Sequence, residues 1–570
     1  MQVHEAAYPN LQEEFRKIAG IVMGCWCTQL LHLRVMSCAS ADMLPDNIGN
    51  WKHLRYLEIS RACSLKRIPS SFCSLHNMQI LYAKKCRLEC LPHEFGKLIG
   101  LQKFETQRLT LDSDNQKGPG IRLIKNLNQF RGQLEIANAG ILSKDHAAEA
   151  ELKNMKYLEE LILNMCTPWG FPKSPIIQNI EVLEVLQPPI SLKSLFLENY
   201  GGPSLPSWFQ PQNLPRLELL AFERCDGFKS INLNEMPAVS KFMSLINVII
   251  EECGNISSLE DFLLQAYVPD IKKIHIGGCK ILESIPTEKF GDLHLLEELS
   301  VGRCPNIRLQ RLVSQSLKKL GLYGSSLFCN IDCCSLTEFS LSCKSVTSIQ
   351  LQTWSLPALQ SLKIECESLT SIEDSPNSSI SVGTGSIRAF SSLKVIEISG
   401  CGKLSTLDDL LTQEYLPAIE KIDISFCWEL KSLPVERFVS FPYLKHLKVI
   451  YCRSLSWQME LVLPTYLQSL CLTECGDMSP YVSSCLQNLT SLVSFEIDGC
   501  NGITSIPGSI WCTNLVSLEK LVIKNCPDLV SIGGAEAVAN IKDVEICGCP
   551  NLEEEEQINR KSRPSTRRTR

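Results

Sequence analysis

Ile271-Lys-Lys-Ile274-His-Ile276-Gly-Gly-Cys279 and Ile419-Glu-Lys-Ile422-Asp-Ile424-Ser-Phe-Cys427 are one frame written twice. Both read apolar-x-x-apolar-x-apolar-x-x-Cys. Apolar residues at i and i+2 specify a short strand with one buried face. The cysteine marks where the chain leaves that strand and turns. A small, weakly polar thiol suits a buried turn.

Working outward, the frame recurs at Leu33/Cys38, Leu81/Cys86, Leu161/Cys166, Leu220/Cys225, Val248/Cys253 and Leu299/Cys304. It continues at Ile396/Cys401, Leu447/Cys452, Leu470/Cys475, Phe495/Cys500, Leu521/Cys526 and Val544/Cys549. Weaker copies centre on Leu57, Phe104, Leu134, Leu195, Leu320, Phe339 and Leu362, with another residue or an offset Cys at the turn. The total is about 21 copies at a mean period near 25–26 residues. Many add Cys-x-x-Leu-x-x-Ile/Leu-Pro, as in Cys427…Leu430…Leu433-Pro434. This is the leucine-rich-repeat pattern, with Cys at a step where Asn is the common alternative. One repeat cannot bury its own apolar face, so neighbours must stack. The expected fold is an α/β solenoid, a leucine-rich-repeat horseshoe with one long parallel β-sheet spanning 30–552.

Composition agrees. Leucine is about one residue in seven of the 570, with 44% hydrophobic and 21% charged residues, which excludes bulk disorder. A net charge of −6 gives no basic field to attract nucleic acid. The apolar stretch Ala19–Cys27 is far short of the roughly 18 residues a membrane span needs. Glu5, Glu13 and Glu14 precede it, unlike the basic start of a signal peptide. The expected compartment is therefore the cytoplasm. The 28 cysteines are then read as reduced packing residues rather than disulfides.

Several stretches fall outside the frame. Residues 1–29 are a non-repeat segment in which Phe15–Leu30 fits part of a helix. Loop insertions are expected at 112–120, 167–175 and 375–386. Residues 553–570, with Glu553–Glu556 followed by a basic end, read as a disordered tail. Its Arg567, Arg568 and Arg570 also suit nuclear import or phosphate contact.

Searches for chemistry return little. No G-x-x-x-x-G-K-[ST], H-E-x-x-H or G-x-S-x-G occurs. Cys73-x-x-His76 with Cys86-x-x-x-Cys90 is the best metal constellation, but Cys86 is already a repeat position. Neither an enzyme, a cofactor nor a metal is expected.

The residue between the two strand apolars should face solvent on the concave side. Folding does not dictate its identity, so it is the candidate protein-binding position. These residues are Ile162, Phe196, Ile249, His275, Lys363, Glu397, Asp423, Lys448, Glu496 and Glu545, with Glu58 and Val522 in the same row. Apolar residues fall mainly in the first half (Ile162, Phe196, Ile249), and the second half is charged and of mixed sign. An apolar anchor region with a charged, salt-sensitive region is the expectation.

The run Leu44-Pro-Asp-Asn-Ile-Gly-Asn-Trp-Lys-His-Leu-Arg-Tyr-Leu-Glu-Ile-Ser60 resembles the opening repeats of plant nucleotide-binding leucine-rich-repeat (NLR) disease-resistance proteins. Leu65-Lys-Arg-Ile-Pro69 and Leu91-Pro-His-Glu-Phe-Gly-Lys-Leu98 do too. Leu192-Lys-Ser-Leu-Phe-Leu-Glu-Asn-Tyr-Gly-Gly202, followed by Leu205-Pro-Ser-Trp208, is similar to a mid-array signature of their coiled-coil class. The resemblance implies protein recognition in defence. Its partner would be a pathogen effector, a guarded host protein or the signalling domains of the receptor itself. The resemblance's nucleotide chemistry cannot be transferred, because no phosphate-cradling loop is present. The competing reading is a repeat adaptor such as a ubiquitin-ligase substrate receptor, and a secreted receptor ectodomain is a third.

Overall fold

A computed structural model of the chain describes residues 2–3, 31–35, 43–44, 46–59, 65–89, 91–92, 94–112, 120–167, 176–231, 241–326, 328–373, 390–457, 462–476 and 485–560. The chain divides into two compact units, Met1–Pro286 and Thr287–Arg570.

The first unit is a parallel sheet. Its strands are β1 (Gln2–Val3), β2 (His32–Val35), β3 (Tyr56–Ile59), β4 (Ile80–Leu88), β5 (Lys103–Asp112), β6 (Phe130–Ala137) and β7 (Glu160–Asn164), then β8 (Ser194–Glu198), β9 (Leu219–Glu223), β10 (Asn247–Glu251) and β11 (Lys273–Gly277). The second unit repeats the design from Glu298–Gly302 to Asp543–Cys547. Every repeat copy read from the sequence, weak ones included, supplies one strand, so the leucine-rich-repeat solenoid stands in both units.

Register follows from the frame. Leu195 lies opposite Leu220 and Leu197 opposite Phe222. Ile422 lies opposite Leu447 and Ile424 opposite Val449. A one-residue slip would turn these apolar side chains to water. All are at most 3% exposed. The second half of each repeat closes the core from the other side. Leu282, Ile285, Leu430, Leu433, Ile503 and Ile506 are all buried there. Short 3-10 turns such as Thr287–Asp292 and Val435–Ser440 carry the chain back.

The strand exit has its own geometry. The residue before the turn cysteine takes left-handed backbone at Arg224, Glu252, Gly278, Arg303, Gly400, Phe426, Tyr451, Glu474, Gly499, Asn525 and Gly548. That conformation reverses the chain in one step and delivers the thiol inward. Cys225 Sγ donates to Leu197 O at 3.2 Å, and Cys304 Sγ to Gly302 O at 3.2 Å. Cys366 N donates to Cys401 Sγ at 3.3 Å, linking successive repeats. Burial pushes the thiols of Cys366 and Cys526 up to about 12. At the offset copies the turn lacks the left-handed step, and Cys343 and Cys366 fill the same buried slot one residue earlier.

Three expectations are modified. Cys166 is exposed, because Met165 takes the buried slot ahead of the expected insertion. Asp112 ends β5 and Gly120 starts the 3-10 turn Gly120–Asn126. Residues 113–119, 168–175 and 375–386, and most of 1–29, lie outside the described residues. Ordered structure continues past Leu552 into the segment expected to be a disordered tail. Glu554–Glu556 forms a 3-10 turn, and Asn559–Arg560 pairs antiparallel with Asp543–Cys547. Glu556 is 6% exposed and accepts from Ile532 N at 2.9 Å and Gly534 N at 2.5 Å. A carboxylate that satisfies two backbone donors holds this segment down, which acidic composition alone does not reveal. Residues 561–570 lie outside the described residues.

Candidate functional site

The side chains between the two buried positions of each strand line up across neighbouring strands. In the first unit Glu135, Ile162, Phe196, Ala221, Ile249 and His275 are successive register partners. In the second, Lys363, Glu397, Asp423, Lys448, Cys471, Glu496, Val522 and Glu545 follow one another. All ten candidate residues therefore fall into the two halves of one type of row, on the open face of the sheet.

Two of them are not exposed. Ile162 is 4% exposed, level with the equally covered Ala221, so it is floor rather than a protruding anchor. Phe196 and Ile249 are half-buried and carry the accessible apolar surface. Asp423 is 9% exposed, packed between two lysine side chains. Its carboxylate lies 3.2 Å from Lys448 Nζ and 3.8 Å from Lys421 Nζ.

That pairing is general in the second unit. Lys421 Nζ donates to Glu397 at 2.8 Å, and Lys524 Nζ lies 3.0 Å from Glu545. Lys520 Nζ is 3.9 Å from Glu496. The hydrogen bond from Lys421 holds the Glu397 carboxyl below the usual carboxylate range and raises the lysine in turn. The charged half is thus a lattice of cross-strand ion pairs. Each exposed pair contributes little stability, roughly 0–1 kcal/mol. An incoming partner must compete with the pairs already made. The sequence shows the alternating signs but not the pairing, because Lys448 stands directly opposite Asp423 while Lys421, Lys520 and Lys524 reach their carboxylates from other row positions.

The open face also has a notch. β4 and β5 each carry a register shift, after Ala83 and Glu105. Gly132 lies alongside, and a Cβ there would sit 2.2 Å from Thr106 O, so only glycine fits. A hollow of about 260 Å³ opens beside it, lined by Glu105, Arg131, Tyr157, Glu159 and Glu160. The larger cleft, about 560 Å³, is on the turn side beside Lys431, Pro434 and Trp457 and contains no histidine or cysteine. Among the described residues no group of three His, Cys, Asp or Glu side chains could hold a metal. Cys73 and Cys86 are buried, and Cys90 lies outside the described residues. No helix among the described residues is long and apolar enough to cross a membrane.

A family model for R13L1/DRL21 leucine-rich repeats matches residues 121–253. Disease resistance RPP13-like protein 4 of Arabidopsis thaliana is 27% identical over 301 residues, 46% of this chain and 33% of that one. A second Arabidopsis thaliana disease resistance protein is 24% identical over 612 aligned residues, 91% of this chain and 41% of that one. Disease resistance protein RGA4 of Solanum bulbocastanum is 25% identical over 37% of this chain and 21% of its own length. The chain thus spans about a third and two fifths of the first two relatives. Among solved structures, a TLR13–ssRNA13 complex overlays with a TM-score of 0.47 at 14% identity, over 86% of this chain and 88% of that one. By repeat frame and strand ladder the chain is a leucine-rich-repeat protein, and its repeats are similar to those of plant disease resistance proteins.

Proposed function

We propose that the chain is the recognition region of a plant defence protein and that it reads a partner protein across the open face of its sheet. The observation that carries this reading is the register. One outward side chain per repeat is held in an ordered row, at positions where folding fixes only the flanking apolar residues. Such an extended, compositionally varied face suits a folded protein better than a small substrate. The partner classes are a pathogen effector, a guarded host protein or signalling domains joined to these repeats. Catalysis, cofactors and nucleic acid have no part in the reading, and its setting is the cytoplasm.

Open-face variants in the native gene, Phe196→Ser with Ile249→Ser, are compared with turn-side variants Lys229→Glu and Lys403→Glu. Defence signalling in challenged leaf tissue and the thermal midpoint of the purified chain are both measured. Open-face variants should lose signalling at an unchanged midpoint while turn-side variants keep it. Equal effects of the two sets would sink the reading.

A further inference from the structure

Strand exits in the middle of the second unit carry an exposed aromatic cluster beside a pair of glycines. Phe426 and Trp428 flank Cys427 and are both exposed, with ring centroids 6.0 Å apart. Tyr451, one repeat on, stacks against Phe426. Phe426 and Tyr451 sit in left-handed backbone, a conformation that Gly400 and Gly499 fill at the same step without strain. Bulky rings there are costly twice, in backbone strain and in apolar surface shown to water. Strain of this kind clusters at ligand clamps. One guanidinium of the chain already uses the cluster. Arg453 Cζ lies 6.0 Å over the Trp428 ring, and its Nε donates to Glu474 at 2.7 Å. Ring, guanidinium and carboxylate thus follow one another over three successive repeats. On the other side of the cluster the chain supplies only the outer two members of such a series. Tyr451 covers one face of Phe426, so the other face turns toward the preceding repeat, where Gly400 and Gly402 carry no side chain. Beyond them stands Glu365, whose Cγ would lie 3.6 Å from a Cβ on Gly400. Glu367 beside it is taken by Lys344 at 3.2 Å, while Glu365 is exposed and forms no ion pair among the described residues.

We propose that this slot, between Phe426 and Glu365 over Gly400, receives an arginine side chain of a partner protein. This rests on the reading that the array recognises protein, and it adds a contact at the strand exits to the open face. The guanidinium would lie on the uncovered face of Phe426 and donate to Glu365, as Arg453 lies on Trp428 and donates to Glu474. The span agrees. Two strand spacings, roughly 9.6 Å, separate the repeats of Glu365 and Phe426. A cation within about 6 Å of a ring centroid and about 2.8 Å from a carboxylate oxygen fits between them. Arginine suits the slot better than lysine, because its planar fork stacks on a ring and still donates sideways. Gly400 keeps the floor low. Gly402 leaves room for Trp428, whose Cδ1 would lie 3.2 Å from a Cβ there. A guanidinium held between a ring and a carboxylate, partly shielded from water, is the kind of contact that dominates an interface.

The test uses the full chain and fluorescent twelve-residue Gly/Ser peptides carrying three arginines, or citrulline, lysine or proline at the same places. Anisotropy titrations up to millimolar chain give affinities, and hydrogen exchange maps the footprint. The arginine peptide should bind at least ten-fold tighter than the citrulline and proline peptides, and at least three-fold tighter than the lysine peptide. Its footprint should cover 399–402 and 425–428. Phe426→Gly removes the ring at a backbone step that suits glycine and should weaken binding at least ten-fold, as should the isosteric Glu365→Gln. Glu496→Gln on the open face should not. Circular dichroism melts confirm that the variants stay folded. No measurable binding of the arginine peptide, equal binding of the citrulline peptide, or indifference to either Phe426→Gly or Glu365→Gln overturns the proposal. A proline peptide that binds as tightly as the arginine peptide overturns it too. The same two variants are then placed in the native gene beside Phe196→Ser with Ile249→Ser. Defence signalling lost with the open-face pair but kept with Phe426→Gly and Glu365→Gln removes the slot and leaves open-face recognition standing. Signalling kept by all of them removes both.

Discussion

The ring of Phe426 lies on the ring of Tyr451 one repeat further on, with centroids 5.0 Å apart and planes 23° from parallel. Both residues hold left-handed backbone, with φ of 56° and 53°. Gly278, Gly400, Gly499 and Gly548 fill the same step elsewhere. A bulky residue there is strained by about 1–2 kcal/mol, and Phe426 remains 41% exposed. Phe426→Gly should therefore exchange strain relief against the lost stack, leaving stability within about 1 kcal/mol of the parent. Phe426→Val keeps the strain, adds a β-branch and loses the stack, so it should destabilise by about 1–2 kcal/mol. Urea unfolding of the two variants side by side checks the order. Equal destabilisation by both would show that the strained backbone contributes nothing.

The strand core gives a second contrast, between neighbouring rows of one sheet. Ile424 is fully buried against Ile398 and Val449, whereas Glu397 is half-buried on the open face. Ile424→Asp should cost more than about 3 kcal/mol, because a charge enters the core without a partner. Hydrogen exchange should show protection lost first in the adjoining strands Val395–Ser399 and His446–Ile450, since each repeat stacks only on its neighbours. Glu397→Gln should change stability by less than about 1 kcal/mol, as one partly exposed ion pair is removed. Uniform loss of protection across both units after Ile424→Asp would contradict this local picture.

The repeat frame alone made the strands, their buried faces, the row of outward side chains and the inward thiols legible. Period-2 patterning and the cysteine step are local signals, and stacking follows from them. What it missed depends on neighbours. Ile162 sinks to floor level beside Ala221, and Asp423 is covered by Lys421 and Lys448 from adjacent repeats. The register shifts after Ala83 and Glu105 leave no mark except Gly132. The acidic row of Glu198, Glu223 and Glu251 is spread over 54 positions of sequence and becomes one feature only through register. Glu556 reads as one residue of an acid run, yet it alone of Glu553–Glu556 is buried.

The buried thiols tie stability to alkaline pH. Burial raises Cys366 and Cys526 from about 9 to about 12. Folded-state values above the unfolded ones mean the stabilisation is fully present below about pH 9. It is lost as pH rises toward about 12, because the unfolded chain releases protons that the folded chain retains. Thermal midpoints should therefore fall steadily between pH 9 and 12. Cys366→Ala and Cys526→Ala together should shallow that slope while lowering the midpoint at pH 7. Alkylation of the native chain at pH 8 should modify exposed Cys166, Cys334 and Cys512 before either buried thiol. A flat profile from pH 9 to 12 would count against this assignment.

The end of the array supplies the last prediction. A terminal strand presents unpaired backbone groups, and solenoids need a cap over them. Here Asn559–Arg560 covers part of the strand Asp543–Cys547, and Glu556 anchors the approach. Its carboxylate accepts the backbone N–H groups of Ile532 and Gly534 and lies 3.3 Å from Ser531 Oγ. Removing it leaves two backbone donors without their acceptor in a largely covered site, which costs about 1–3 kcal/mol. Glu556→Ala should accordingly lower the unfolding free energy of the C-terminal repeats by that amount. Glu556→Gln keeps one acceptor oxygen and should lose less. Exposing the edge should also promote self-association through the strand Asp543–Cys547, visible as concentration-dependent sedimentation. Glu554→Ala, at an exposed position of the same acidic run, is the control and should change neither readout. If Glu554→Ala and Glu556→Ala behaved alike, the acid run would act only through its charge, and the anchoring role of Glu556 would be lost.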